Sequence, residues 1–545
     1  MTTAGFVVGS ALAVPLVLLV ACLLRRPREL MPGLLPLAPL PAIAAALLAA
    51  DTPPLVTGGS RYALVLQLDF PGAILLGTAA LLWSLAALYG RTYLRGTANA
   101  GRFAVCWLMT LTGCLGVFLA ADMVGFYLLL GLLSIGACGL VIHDETPRAW
   151  RSGGLYVGLA LFGESCALLG FVLLAAGSPG ESLLIRDAVA ALPGSPWRDA
   201  TLALLIVGLG LKAGLVPLHV WMPLAHAAAP VPASAVLSGA VVKVGIIGLI
   251  RFLPLDTAMD GLGQALAAAG LATAFYGVAI GILQGHPKAV LAYSSVSQMG
   301  VIVAVLGMGL SVGDASTGLS AAYYASHHVL VKGTMFLAVG VVAATGGRRL
   351  GPILLLVAVL GVGLGGLPLT GGALAKYAVK GPLGDGLAGT LAKVSAAGTT
   401  LLMLHFVFRL RSFAARDPAA AASPGLLWPW LALALASFVV PWMLYLTVPG
   451  GTVGYMLQPS VLWAALVPVL GGGVAAVAHR YWGGRWLPKV PEGDIAVLVD
   501  GALKRAVAAG PRVDRLDHLL LRWRVAGILL LVGMFALGLA AMTGH

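Results

Sequence analysis

Residues 212–251 read KAGLVPLHVWMPLAHAAAPVPASAVLSGAVVKVGIIGLIR, and this stretch makes two demands at once. It is apolar over a length that crosses a bilayer about twice at roughly 20 residues per crossing, yet it carries Lys212 and Lys243 inside the apolar runs. An ionisable side chain at membrane depth is costly unless it meets water or a partner, so each is a functional candidate by default. Pro217 and Pro223 follow Lys212 closely. A proline inside a membrane helix frees carbonyls that only a cavity, water or neighbouring helices can satisfy.

The rest of the chain extends the same pattern. Of 545 residues, 60% are apolar and 10% charged, against about 25% charged in soluble domains. Mean hydropathy is +0.98 over the whole length, which excludes a soluble catalytic domain. The apolar runs are continuous rather than alternating, which excludes a β-barrel and leaves an all-α polytopic membrane protein. The 73 glycines suit close helix packing in lipid. A net charge of +13 comes from short basic clusters between apolar runs, not from a patch that would hold nucleic acid. All five cysteines lie inside apolar runs without a CxxC pair, so no iron–sulfur, haem or zinc site is visible and no cofactor is expected. Residues 6–24 lack a basic leading segment and a small-residue cleavage site, and are expected to remain as the first helix.

Apolar runs predict about sixteen spans at 5–24, 33–50, 70–90, 103–121, 124–142, 152–176, 200–229, 234–253, 264–284, 290–310, 319–344, 352–379, 388–410, 425–447, 460–478 and 523–542. Lys and Arg concentrate in the odd-numbered connections, including Arg25, Arg26, Arg28, Arg91, Arg95, Arg102, Arg148, Arg151, Lys288, Arg348, Arg349, Arg409, Arg411 and Arg416. The positive-inside rule therefore predicts an amino terminus outside and these connections in the cytoplasm of a cell-membrane protein. Residues 493–509 read either as an amphipathic helix along the cytoplasmic surface or as an ordinary loop helix.

Two spans are long and interrupted: 200–229 by Pro217 and Pro223, and 352–379 by Pro368 among several glycines. Interrupted helices at corresponding places in two halves point to an ion path. They are the seventh and twelfth spans. The predicted organisation is three helices in 1–100, inverted five-helix repeats in 101–254 and 262–411, and carboxy-terminal helices in 424–545.

Four lysines, Lys212, Lys243, Lys332 and Lys376, fall near the midplane of this arrangement. A lysine desolvated there can take up and release a proton at neutral pH, and charging one disfavours charging its neighbour, which makes a proton relay. Snorkelling to the interface is the alternative, strongest for Lys376. His219, His226, His328 and His405 read as relay groups, metal ligands or hydrogen-bonded packing histidines; adjacent His327 and His328 point about 100° apart on a helix and cannot chelate as a pair, so no metal is expected. Glu164 is the carboxylate well inside a span, and a lysine of the seventh or eighth span is its natural partner.

The 212–251 stretch, with HPKAVLAYSSVSQMG at 286–300, HHVLVKGTMFLAVG at 327–340 and GLPLTGGALAKY at 366–377, resembles the antiporter-like proton-translocating subunits shared by respiratory complex I, Mrp-type antiporters and group 4 hydrogenases. The PLAHAAAP wording looks most like the hydrogenase-4 and formate hydrogenlyase branch. The resemblance implies paired inverted five-helix bundles and a proton pathway through Lys212, Lys243, His328 with Lys332, and Lys376; His219, read from the residues, is a further candidate for that pathway. Any electron chemistry would belong to other membrane and peripheral subunits. The family's fifth helix carries a glutamate that pairs with the seventh-helix lysine; here that position is Gly131, and Glu164 is expected to supply the displaced carboxylate. Tyr324 stands where a histidine is common. Three functions remain open: proton pumping coupled to a partner's reaction, a subunit of an Mrp-type Na+/H+ antiporter, or a scaffold that no longer pumps.

Overall fold

The computed structural model describes residues 3–483 except 60, 61, 98, 179, 181 and 449, together with 490, 491, 493, 495 and 497. Apart from the last three of these positions, the amphipathic segment expected at 493–509 lies outside the described residues, as does the span expected at 523–542. Met1–Glu492 forms one unit, to which everything below belongs.

The order of helices is α1 (Thr3–Ala21), α2 (Arg25–Leu34), α3 (Leu40–Leu48), α4 (Phe70–Tyr93), α5 (Ala100–Leu119), α6 (Met123–Val141), α7 (Pro147–Ala176) and α8 (Ile185–Ala191). Then come α9 (Arg198–Ala213), α10 (Trp221–Ala228), α11 (Val231–Val236), α12 (Val242–Phe252), α13 (Asp260–Gly281), α14 (Pro287–Val312) and α15 (Thr317–Ala343). The chain continues through α16 (Gly347–Gly365), α17 (Gly371–Ala378), α18 (Lys380–Leu383), α19 (Leu387–Arg411), α20 (Pro424–Tyr445), α21 (Val453–Met456) and α22 (Pro459–Ala478). Among the described residues, 14 helical segments are long and apolar enough to cross a membrane. The centre of the bundle is α11–α12, α14 and α15, which are buried almost all round.

One expected span is not a single helix. Pro36, Pro39 and Pro41 withdraw backbone donors from 33–50, so α2 stops at Leu34 and α3 runs only Leu40–Leu48, about 13 Å of helix. An antiparallel hairpin, β1 (Leu55–Gly59) with β2 (Tyr62–Leu66), follows it. Asp122 pins this hairpin to the bundle: its carboxylate caps α6 at Gly125 N and also accepts from Val65 N at 2.9 Å.

Both proline-interrupted spans are broken. α9 ends at Gly214, whose φ of +83° suits a residue without a side chain, and a short turn at Leu218–Val220 leads into α10. Pro223 lies in the first turn of α10, where a missing N–H removes no helical bond, so the interruption sits at Gly214–Pro217 alone. The second break runs from Gly366, φ +108°, through Pro368 to Thr370, and α17 resumes the span. Between α11 and α12 the backbone makes one π-helical turn, Leu237–Val241.

The two ends of the bundle differ in charge. At one end the basic connections meet: Arg102 pairs with Glu145 and donates to the His143 carbonyl, Arg348 N bonds the Pro418 carbonyl, and the His286 ring lies 5.3 Å from that of Phe413. At the other end Arg251 grips Asp69 at 2.8 Å and three carbonyls at the end of α5, and Asp256 shares a cavity with both.

Candidate functional site

The break after α9 leaves Lys212 on that helix's last turn, aimed into the protein. Its ammonium lies 3.1 Å from Glu164 Oε1 on α7, with both side chains nearly inaccessible. Ser134 of α6 bridges them: its hydroxyl contacts Lys212 Nζ and Glu164 Oε1 together. The Tyr156 ring lies 5.6 Å beneath the ammonium, and Trp221 Nε1 donates to the Leu211 carbonyl at 3.0 Å, satisfying an acceptor freed by the break. Gly131 lies one turn before Ser134, and a Cβ built there meets nothing within 4 Å.

Lys243 begins where the π-helical turn ends. Its ammonium donates to the Ser238 carbonyl at 2.8 Å, an acceptor in the widened turn, and lies 2.6 Å from His328 Nδ1 on α15. An ammonium that donates to Nδ1 needs that nitrogen unprotonated, so the pair holds one proton that either member can carry. His328 Nε2 then bears the hydrogen and has no protein acceptor among the described residues. The backbone of Lys212 abuts α12 at Gly245, where a Cβ would come within 3.0 Å of the Lys212 carbonyl carbon.

Lys332, also on α15, does not pair with His328. It donates to the Leu291 carbonyl at 2.9 Å. Ser295 donates to the same carbonyl at 3.2 Å, and its hydroxyl meets that of Ser238 at 2.8 Å. A run of hydrogen-bonding groups therefore joins Lys243 to Lys332 through α14. Gln298, one turn beyond Ser295, accepts from Tyr324 Oη at 2.7 Å and donates to Thr399 Oγ1 at 2.9 Å. Lys376 Nζ lies 5.9 Å from the centre of the Tyr324 ring and opens on a cavity of about 330 Å³ that Lys380 and Lys393 also line.

The line thus brings together Glu164 with Lys212, Lys243 with His328, Lys332 with the Leu291 carbonyl of α14, and Lys376 with the Tyr324 ring of α15. The His219 ring lies 5.0 Å from that of Tyr276 and 6.0 Å from that of Tyr293, on α13 and α14. His226 packs between Trp221 and Phe336. Pro217 and Pro368 lie in the two breaks and contribute backbone shape. Sequence reasoning missed Ser134, Ser238, Ser295 and Gln298; the signal was a hydroxyl- and amide-bearing face inside otherwise apolar spans, which has to be hydrogen-bonded. No group of three or more His, Cys, Asp or Glu side chains suited to a metal ion occurs among the described residues.

Two broken helices with lysines lying between them give the antiporter-like arrangement of a membrane protein. The family model described as NADH:quinone oxidoreductase/Mrp antiporter, TM, matches residues 120–381, and over that segment the chain is similar to this family. Hydrogenase-4 component B of Escherichia coli (strain K12) is 30% identical over 292 residues, which are 51% of this chain and 43% of that protein. A probable K(+)/H(+) antiporter protein of Rhizobium meliloti (strain 1021) is 28% identical over 443 residues, 74% of this chain and 42% of the relative. The chain thus spans less than half the length of these two relatives. Among solved structures, the Mrp complex from Dietzia sp. DQ12-45-1b aligns with a TM-score of 0.79 and 21% identity, covering 99% of this chain and 63% of that one, a likeness of fold.

Proposed function

We propose that the chain translocates protons as one membrane subunit of a multisubunit energy-converting assembly, coupled to a reaction carried out by partner subunits. The observation that carries this reading is the Lys243–His328 contact at 2.6 Å, a shared-proton pair with no carboxylate bound to it among the described residues, at the centre of a line of buried lysines. A purely structural role gives no reason to bury Lys212, Lys243 and Lys332 and to set Lys376 half-buried at a cavity, because each needs acceptors that apolar packing would not. Glu164, Lys212, Lys243, His328, Lys332 and Lys376 carry the proton, with Ser134 of α6, Ser238 of the π-helical turn, and Ser295 and Gln298 of α14 linking them. The repeats at 101–254 and 262–411 are related by inversion, and the amino terminus faces outside with the basic end of the bundle in the cytoplasm.

The test is proton movement in proteoliposomes that hold the chain with its native partners. Loss of proton movement in Lys243→Gln, with assembly intact, supports the reading. Unchanged movement overturns it in favour of a scaffold. Proton flux that requires Na+ would move the chain to the Mrp-type reading instead.

A further inference from the structure

A second polar site lies away from the proton line. α19 and α22 are separated at the basic end of the bundle by a cavity of about 510 Å³. Its polar lining is cationic or imidazole: His405, Arg409 and Arg411 from α19, and His479 and Arg480 from the end of α22. No carboxylate among the described residues lines it. The His405 and His479 rings are 5.3 Å apart, and the Arg480 guanidinium stacks 4.8 Å over the Phe408 ring, so the two helices present their charges to one space.

Among the described residues, the hydrogen bonds leave these charges short of acceptors. His405 Nε2 faces the Gln284 carbonyl at 3.0 Å, which requires that nitrogen to carry the hydrogen. It then offers no lone pair to Arg409 Nε, 3.5 Å away. The remainder of the lining is hydrocarbon, including Leu354, Leu401, Leu404 and Val477. Guanidinium groups beside an apolar wall, at the membrane end where basic residues gather, match an amphiphile with an anionic head and a hydrocarbon tail.

We infer that this cavity binds an anionic phospholipid, its phosphate held by Arg409, Arg411 and Arg480 and an acyl chain lying along the apolar wall between α19 and α22. Guanidinium forks match phosphate oxygens in a way that single ammonium groups do not. The site does not depend on the proton reading, since none of its residues belongs to that line.

The experiment is native mass spectrometry of the full-length chain, delipidated in mild detergent and titrated with phosphatidylglycerol or phosphatidylcholine. Phosphatidylglycerol should be retained at least about 10-fold more than phosphatidylcholine, and the combined R409Q/R411Q/R480Q variant should bring the two to parity. The Lys380→Gln/Lys393→Gln pair, at the cavity beside Lys376, should leave the preference intact. If the triple variant is not monodisperse, Arg411→Gln and Arg480→Gln, both on exposed side chains, should each lower the preference at least about 3-fold. Equal retention of both lipids by the unaltered chain, or an unchanged preference in the arginine variants, overturns the proposal. Displacement of the lipid by millimolar inorganic phosphate would also overturn it, and would make this a site for a soluble anion.

Discussion

Lys212 Nζ and Glu164 Oε1 lie 3.1 Å apart on α9 and α7, with Ser134 of the intervening α6 touching both. We propose that Glu164 supplies, from the next helix along, the carboxylate that the resemblance implies for the helix containing Gly131. Replacing Glu164 by Gln leaves Lys212 without its counter-charge, and proton movement should fall more than about 10-fold, the scale of losing one proton-transfer group. Because a Cβ at Gly131 meets open space, Gly131→Glu introduced with Glu164→Gln should restore part of the flux. Flux in both variants equal to that of the unaltered chain would show that the pair is only structural.

Lys243 and His328 should behave as one unit. Either Lys243→Gln or His328→Ala removes the shared proton, so the double variant should be little worse than either single one, a marked non-additivity. Full additivity in log flux would mean that the two act independently despite their 2.6 Å contact.

α13 and α14 pack backbone to backbone through Gly263, Gly270, Gly277, Gly300 and Gly307, where an added Cβ would lie 2.4–2.6 Å from main-chain atoms of the other helix. Main chain cannot swing aside as a side chain can. Gly270→Ala should therefore force the helices apart at a cost of about 1–3 kcal/mol, seen as a lower midpoint in a thermal stability assay of the detergent-solubilised chain. At Gly261, where nothing lies within 4 Å, the same change should raise the midpoint or leave it alone.

His286 gives a pH dependence outside the spans. Its Nδ1 accepts from Lys288 N at the start of α14. Burial, with Lys288 and Arg148 nearby, lowers its pKa from 6.5 to about 4. The folded form therefore binds fewer protons than the unfolded form across that interval. The stabilisation is complete above pH about 6.5 and is lost as the pH falls towards about 4. His286→Asn keeps a capping side chain without the titration, so the midpoint difference between it and the unaltered chain should shift by several degrees between pH 7 and pH 4.5. A difference constant with pH would remove His286 from the account.

The amino-acid sequence by itself determined that this is a multi-pass helical membrane protein, where nearly all of its spans lie, and which two are interrupted. Hydropathy over about 20 residues and the backbone chemistry of proline and glycine are local properties, legible without knowing what packs against what. It also exposed Glu164, Lys212, Lys243, Lys332 and Lys376 as charges needing an explanation. The 33–50 segment was misread because apolarity outweighed three closely spaced prolines. Only the tertiary structure decided the partners: His328 meets Lys243, 85 residues away in sequence, rather than Lys332 one turn along its own helix. Ser134, Ser238, Ser295 and Gln298 acquired a place the same way. A hydrogen bond depends on two groups meeting within about 3 Å, and the rotation of one helix against another, which sets that meeting, is fixed by the packing of the whole bundle.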